Sequence, residues 1–141
     1  MTTVALTTFV GVAHPWMCDT NGHVNTRYYM AMFDDASCQL LAHVAGDGGA
    51  GPPLGWADVR IEIDYFAEVA AGAVLTITSQ IERIGETSLA AIHSMRGTGE
   101  DQLRSRARIV TVRFNLDRRK STKLTDDEQS RAATLLLSSE E

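Results

Sequence analysis

Cysteine is scarce in this chain, with Cys18 and Cys38 the only two among 141 residues. Two thiols cannot build a disulfide framework, and such scarcity fits a reducing cytoplasm. Long hydrophobic runs are missing as well: no stretch approaches the roughly 20 apolar residues of a membrane span. Residues 1–13 are mildly apolar, but they lack a basic leading segment and threonines interrupt them, so no signal peptide is expected. Basic charge is not in excess either. A formal net charge of -5 argues against nucleic acid as the main partner, because phosphate binding leaves a basic footprint. A local basic patch for a smaller anion stays open. There is no internal repeat, and His14, His43 and His93 show no metal-ligand spacing, so neither metal nor cofactor is expected.

What is present is the material of one ordinary domain spanning 1–141. Hydrophobic residues make up 44% and charged residues 22%, which suits a single core. The glycine- and proline-rich stretch 46–55 is too short to separate domains and reads as a loop. Before it, Asn25 to Val44 has helical spacing, with Tyr29, Met32, Phe33, Ala36, Leu40 and Val44 recurring on one side. Asn25 can cap its start and Gly46 its end. Met30, Leu41 and Ala42 are apolar too, which predicts burial around much of the circumference.

After the loop the period changes to two. Val59, Ile61, Ile63 and Tyr65 alternate with Arg60, Glu62 and Asp64, as in a half-buried strand. Leu75, Ile77 and Ile81 continue the pattern in a second strand. Gly85 turns it into a third, and the glycines around Thr98 turn that into a long fourth, Leu103 to Phe114. Thr3 to Ala13 supplies a fifth strand ahead of the helix, giving a core of about 3–117. Thr125-Asp126-Asp127-Glu128 has the form of a capping box, so a short helix is expected over about 125–137. The order predicts an α+β fold in which an antiparallel five-stranded sheet wraps a long central helix.

The richest segment precedes that helix: Asp19-Thr20-Asn21-Gly22-His23-Val24-Asn25-Thr26-Arg27. A helix start offers free N–H groups and partial positive charge, and the amides from Asn25 to Arg27 could polarise a carbonyl. Asp19 lies on a loop able to fold back towards them, and Gly22 permits a tight turn or close approach by a substrate. The segment resembles the signature of 4-hydroxybenzoyl-CoA thioesterase-like proteins, a branch of the hotdog superfamily in which Asp-x-x-Gly-His-Val-Asn leads into the central helix. The resemblance continues at Ile61 to Phe66, at Arg83 to Ser88 and in the last long strand, covering roughly residues 5–117.

That resemblance implies a hotdog fold, an acyl-CoA thioesterase and a homodimer or homotetramer. Asp19 would be the catalytic carboxylate, as nucleophile or as base for water, with the amide near Thr26 polarising the thioester. Plant acyl-ACP thioesterases share the Asp-x-Asn-x-His spacing, so Asn21 would position water or substrate and His23 would assist proton transfer. Gly22, Asn25, Thr26 and Arg27 would contact substrate. Where many relatives carry a second asparagine, this chain has Thr26, which keeps the backbone donor but not that side chain. The same residues also have structural readings. Asp19 can cap the helix start, His23 can bond within the turn, and asparagine is a common turn residue.

Asp34 and Asp35 are a second carboxylate pair, more often engaged in ion pairs than in catalysis. Arg104, Arg106 and Arg108 share one face of a strand. They read either as a solvated surface or, with Arg83, as contacts for CoA phosphates. Alternative functions are an acyl-ACP thioesterase and a non-catalytic acyl-CoA-binding module. A dehydratase is disfavoured because its paired acid and histidine motif is missing.

Overall fold

The long helix and the strands fall where the hydrophobic period changes, and the computed structural model describes residues 4–46 and 51–138. In chain order these are β1 (Leu6–Val12), a 3-10 turn (Pro15–Met17), α1 (Thr26–Ala45), β2 (Leu54–Tyr65), β3 (Val74–Ile84), β4 (Ser88–Gly97), β5 (Leu103–Asn115), β6 (Lys120–Ser121) and α2 (Asp126–Ala133). Thr3 and residues 47–50 of the expected loop lie outside the described residues. All strand pairings are antiparallel, in the order β1-β3-β4-β5-β2, with β6 added to β5. The sixth strand is a two-residue return of the chain after β5 that sequence period cannot signal. The fold is the expected α+β hotdog arrangement of a sheet around a central helix.

Both ends of α1 close as their residue types require. Asn25 Oδ1 accepts from the Arg27 N–H at 3.1 Å, and Gly46, with φ of 68°, donates its N–H to the Ala42 carbonyl. The inward faces of β3, β4 and β5 meet the helix through Leu75, Ile77, Leu89, Met95 and Ile109, all essentially buried around Phe33 and Leu40. At α2 the capping box is complete, Thr125 and Glu128 bonding each other's backbone N–H.

Two expectations change. The helix packs chiefly on β1, β3 and β4 and buries less of its circumference than expected: Leu41 is buried and Met30 half-buried, but Ala42 is exposed, as are Ala31, Asp34, Asp35 and Cys38. For the same reason β2 is not half-buried: Val59, Ile61 and Tyr65 remain 63%, 39% and 49% exposed. A register irregularity between Asp58 and Arg60 takes Val59 out of the ladder with β5. The apolar alternation is real, but within one chain nothing covers it.

Candidate active site

The segment 18–24 forms a miniature hairpin. Cys18 and Val24 are bridged antiparallel. Asp19 N–H donates to the His23 carbonyl at 2.9 Å, and Gly22 N–H donates to the Asp19 carbonyl at 3.0 Å. Gly22 adopts φ of 80°, a conformation that costs any residue with a Cβ about 1–2 kcal/mol. Below the turn, Asn25 N–H bonds the Met17 carbonyl and Val24 N–H bonds the Val69 carbonyl, both at 2.9 Å. These bonds fix the hairpin onto the first turn of α1.

Asp19 is exposed at the tip of this structure. Its Oδ1 accepts from the Asn21 N–H at 2.9 Å and the His23 N–H at 3.4 Å, while its other oxygen has no protein donor among the described residues. The carboxylate is therefore held through one oxygen and open through the other. At the helix start, the Arg27 N–H is taken by the Asn25 side chain and the Tyr28 N–H by the Asn25 carbonyl. The Thr26 N–H meets no acceptor among the described residues, and it shares in the helix's partial positive charge.

His23 finds a partner that sequence reasoning missed. Its Nε2 lies 3.1 Å from Glu68 Oε2, because His23 and Ala70 form a bridge that brings the segment after β2 alongside the hairpin. No local motif announces Glu68, since its placement depends on a pairing nearly fifty residues distant. Asn21 is exposed and contributes its backbone N–H to Asp19.

Asp34 and Asp35 do not join this group. They lie eight and nine residues into α1, about 12 Å along the axis from Thr26. The arginines separate. Arg106 and Arg108 point to the sheet face away from the helix, where Arg108 pairs with Glu82 at 2.5 Å and Arg106 lies over the Phe66 ring. Arg83 sits on that same outer face, opposite Ala90 in β4, exposed and without an ion pair among the described residues. Arg104 alone approaches the hairpin: it donates to the Glu68 carbonyl at 3.0 Å and pairs with Glu100 at 2.8 Å. Such exposed pairs contribute little stability each. Among the described residues no cluster could hold a metal ion, and no helix is long and apolar enough to cross a membrane.

Residues 13–132 match the family model of the thioesterase-like superfamily. No curated protein sequence matches the chain. Among solved structures, a predicted thioesterase from Bacillus stearothermophilus is 23% identical, with a TM-score of 0.81 over 95% of this chain and 98% of that one. A protein from Staphylococcus aureus, solved in complex with CoA, is 17% identical, with a TM-score of 0.78 over 94% and 84%. A 1,4-dihydroxy-2-naphthoyl-CoA thioesterase from Synechocystis is 19% identical, with a TM-score of 0.76 over 92% and 96%. At these identities the three share the fold.

Proposed function

The chain belongs to the thioesterase-like superfamily and is a thioester hydrolase, and from that premise we propose that it cleaves an acyl-CoA, with Asp19 as the reacting carboxylate. The observation that carries this reading is the pairing of an open Asp19 oxygen with an open Thr26 N–H on one short, hydrogen-bonded unit. Thioester hydrolysis needs both a nucleophile or base and a donor for the charge growing on the carbonyl oxygen. As nucleophile, Asp19 would attack the carbonyl carbon, expel the CoA thiolate and leave an anhydride for water to open. As base, it would take a proton from the attacking water. His23, paired with Glu68, would protonate the departing sulfur, and Asn21 would hold water or substrate.

Support for CoA as carrier comes from the fold shared with the CoA complex and with the naphthoyl-CoA enzyme. Arg104 would reach CoA phosphates by exchanging its Glu100 partner. Arg83, Arg106 and Arg108 would do so only around the sheet edge. The active form would be a homodimer or homotetramer, because β2 is an unpaired edge carrying exposed Val59, Ile61 and Tyr65.

Asp19→Asn tests the assignment. The amide oxygen still accepts from Asn21 and His23, so the hairpin should survive while thiol release across a panel of CoA thioesters falls at least about a hundredfold. Retained turnover on a good substrate would remove Asp19 from the chemistry. Running the same acyl groups on carrier protein separates the two carriers.

A further inference from the structure

Arg104 departs from the pattern of its strand. In β5, Ser105 lies opposite Met95 and Leu103 opposite Arg96, so Arg104 has no partner in β4. A bulge of this kind re-aims the side chain it carries, and Arg104 reaches the segment after β2 instead of the outer face that Arg106 and Arg108 occupy. Its Nη1 donates to the Glu68 carbonyl at 3.0 Å. Its own carbonyl accepts from the N–H groups of Phe66 and Ala67, at 2.9 and 3.1 Å. One residue thus fixes three consecutive ones, through its main chain and its side chain together. Glu100 occupies Nη2 at 2.8 Å and leaves Nη1 to the carbonyl.

On its other side the same segment is stitched to the hairpin. Glu68 Oε2 lies 3.1 Å from His23 Nε2, the Val69 carbonyl accepts from the Val24 N–H, and Ala70 bridges His23. A carboxylate only accepts, so Nε2 carries the proton and Nδ1 is the ring nitrogen left to substrate. Packing alone does not hold this arrangement. A cavity of about 360 Å³ lies against the segment, lined by Glu68, Val69, Gly72, Leu75, Gly97 and Arg104. The Glu68 side chain is exposed, and an exposed pair is too weak to fix its own geometry. Tyr29, three residues after Thr26, shares these surroundings: burial pushes its phenol pKa up, while a hydrogen bond with the Val69 backbone and the Arg104 charge oppose that rise.

We propose that Arg104 is a positioning residue for the reaction: its clamp on the Glu68 carbonyl holds the Glu68 carboxylate where it orients His23. The inference rests on the thioester site proposed above. Arg104 touches neither the hairpin nor the reacting atoms, and it acts through Glu68 alone. A contact with CoA phosphates would act on binding, whereas a misaimed imidazole acts on turnover.

Thiol release by the wild type, Arg104→Met and Arg104→Lys is measured on a good acyl-CoA substrate and on the matching S-acyl-N-acetylcysteamine, which lacks the phosphates. Methionine keeps the stem, and the backbone bonds to Phe66 and Ala67 survive it, so the thermal midpoint should fall by less than about 5 °C. Arg104→Gln, whose amide is too short for the carbonyl, replaces it if the methionine variant fails to fold. On both substrates kcat should fall about tenfold with KM within about twofold, and lysine, which restores one donor, should recover most of the loss. Added to Glu68→Ala, Arg104→Met should cost less than about twofold further, because the carboxylate it positions is already gone. Unchanged kcat, a KM rise confined to the CoA substrate, or the full loss on top of Glu68→Ala overturns the inference. His23 gives a readout independent of turnover. In a long-range proton–nitrogen correlation spectrum in alkaline buffer, the wild-type ring should show the Nε2–H tautomer, and Arg104→Met should mix the tautomers while His93 stays unchanged. An unmoved His23 tautomer also overturns the inference. Mixed tautomers with no thiol release from any thioester would instead leave the clamp standing and remove the proposed hydrolysis.

Discussion

His93 should make the protein lose stability on acidification, beginning below pH 6.5 and so before ordinary carboxylates titrate. It has no exposed surface, and its Nδ1 lies 2.5 Å from Ser79 Oγ, which lies 2.7 Å from Thr8 Oγ1. The Thr8 hydroxyl donates to the Ile77 carbonyl, so Ser79 must donate to Thr8 and His93 Nδ1–H must donate to Ser79. That leaves Nε2 as a bare lone pair with no partner in the core. Protonating it would bury an unpaired cation, and burial accordingly lowers the His93 pKa from 6.5 to about 4.

The unfolded chain takes up this proton near pH 6.5 and the folded chain does not, so stability is full above 6.5 and falls as pH drops towards 4. At about 1.36 kcal/mol per pH unit, the loss is about 2 kcal/mol by pH 5 and about 3 kcal/mol at pH 4. Urea denaturation of the wild type and of His93→Asn at pH 7, 6, 5 and 4.5 measures it. Asparagine keeps a donor for Ser79 but cannot titrate, so its stability should be flatter by that amount, whatever its absolute cost. Parallel pH curves for the two proteins, or a His93 ring that titrates near 6.5 by NMR in the folded state, would refute the argument.

Two further outcomes test the geometry around the hairpin and the open edge. A Cβ at Gly22 would meet no atom within 4 Å, so Gly22→Ala isolates backbone strain: a thermal-unfolding loss of about 1 kcal/mol is expected, with a larger proportional fall in turnover because the turn aims Asp19. Unchanged kcat would show that the turn does not position the carboxylate. Ile61→Lys places a charge on the uncovered face of β2 and should shift the protein towards monomer by sedimentation velocity. An unaltered oligomer would place the interface elsewhere.

Features written in consecutive residues were legible from sequence. The α1 start at Asn25, its stop at Gly46 and the Thr125–Glu128 box depend only on neighbours, and each is found where its chemistry puts it. The tight turn at Gly22 is similarly local and could be read in advance, but 18–24 reads from sequence as a loop, and the bridged hairpin that joins Asp19 to His23 could not be read there. Nor could Glu68, because it reaches His23 through a bridge between distant segments. The acidic partners of Arg104 and Arg108 were hidden for a related reason: strand period tells which face a side chain takes, not what stands across it. Val59 and Ile61 show the limit most clearly. Alternation recorded that one face of β2 is apolar, but a partner chain can cover such a face as well as the chain's own helix can.

Glu128 has a consequence for how the molecule comes apart. One of its oxygens caps the start of α2 while the other holds Arg113 of β5. From the other end of the same helix, Arg131 donates to the Val44 and Ala45 carbonyls, the last of α1. An eight-residue helix cannot persist on its own in water, so α2 exists through these clamps and in turn ties off the end of α1. The two should open together as one cooperative unit, exchanging amide hydrogens at matching rates. A protease that trims α2 would loosen the final turn of α1 with it.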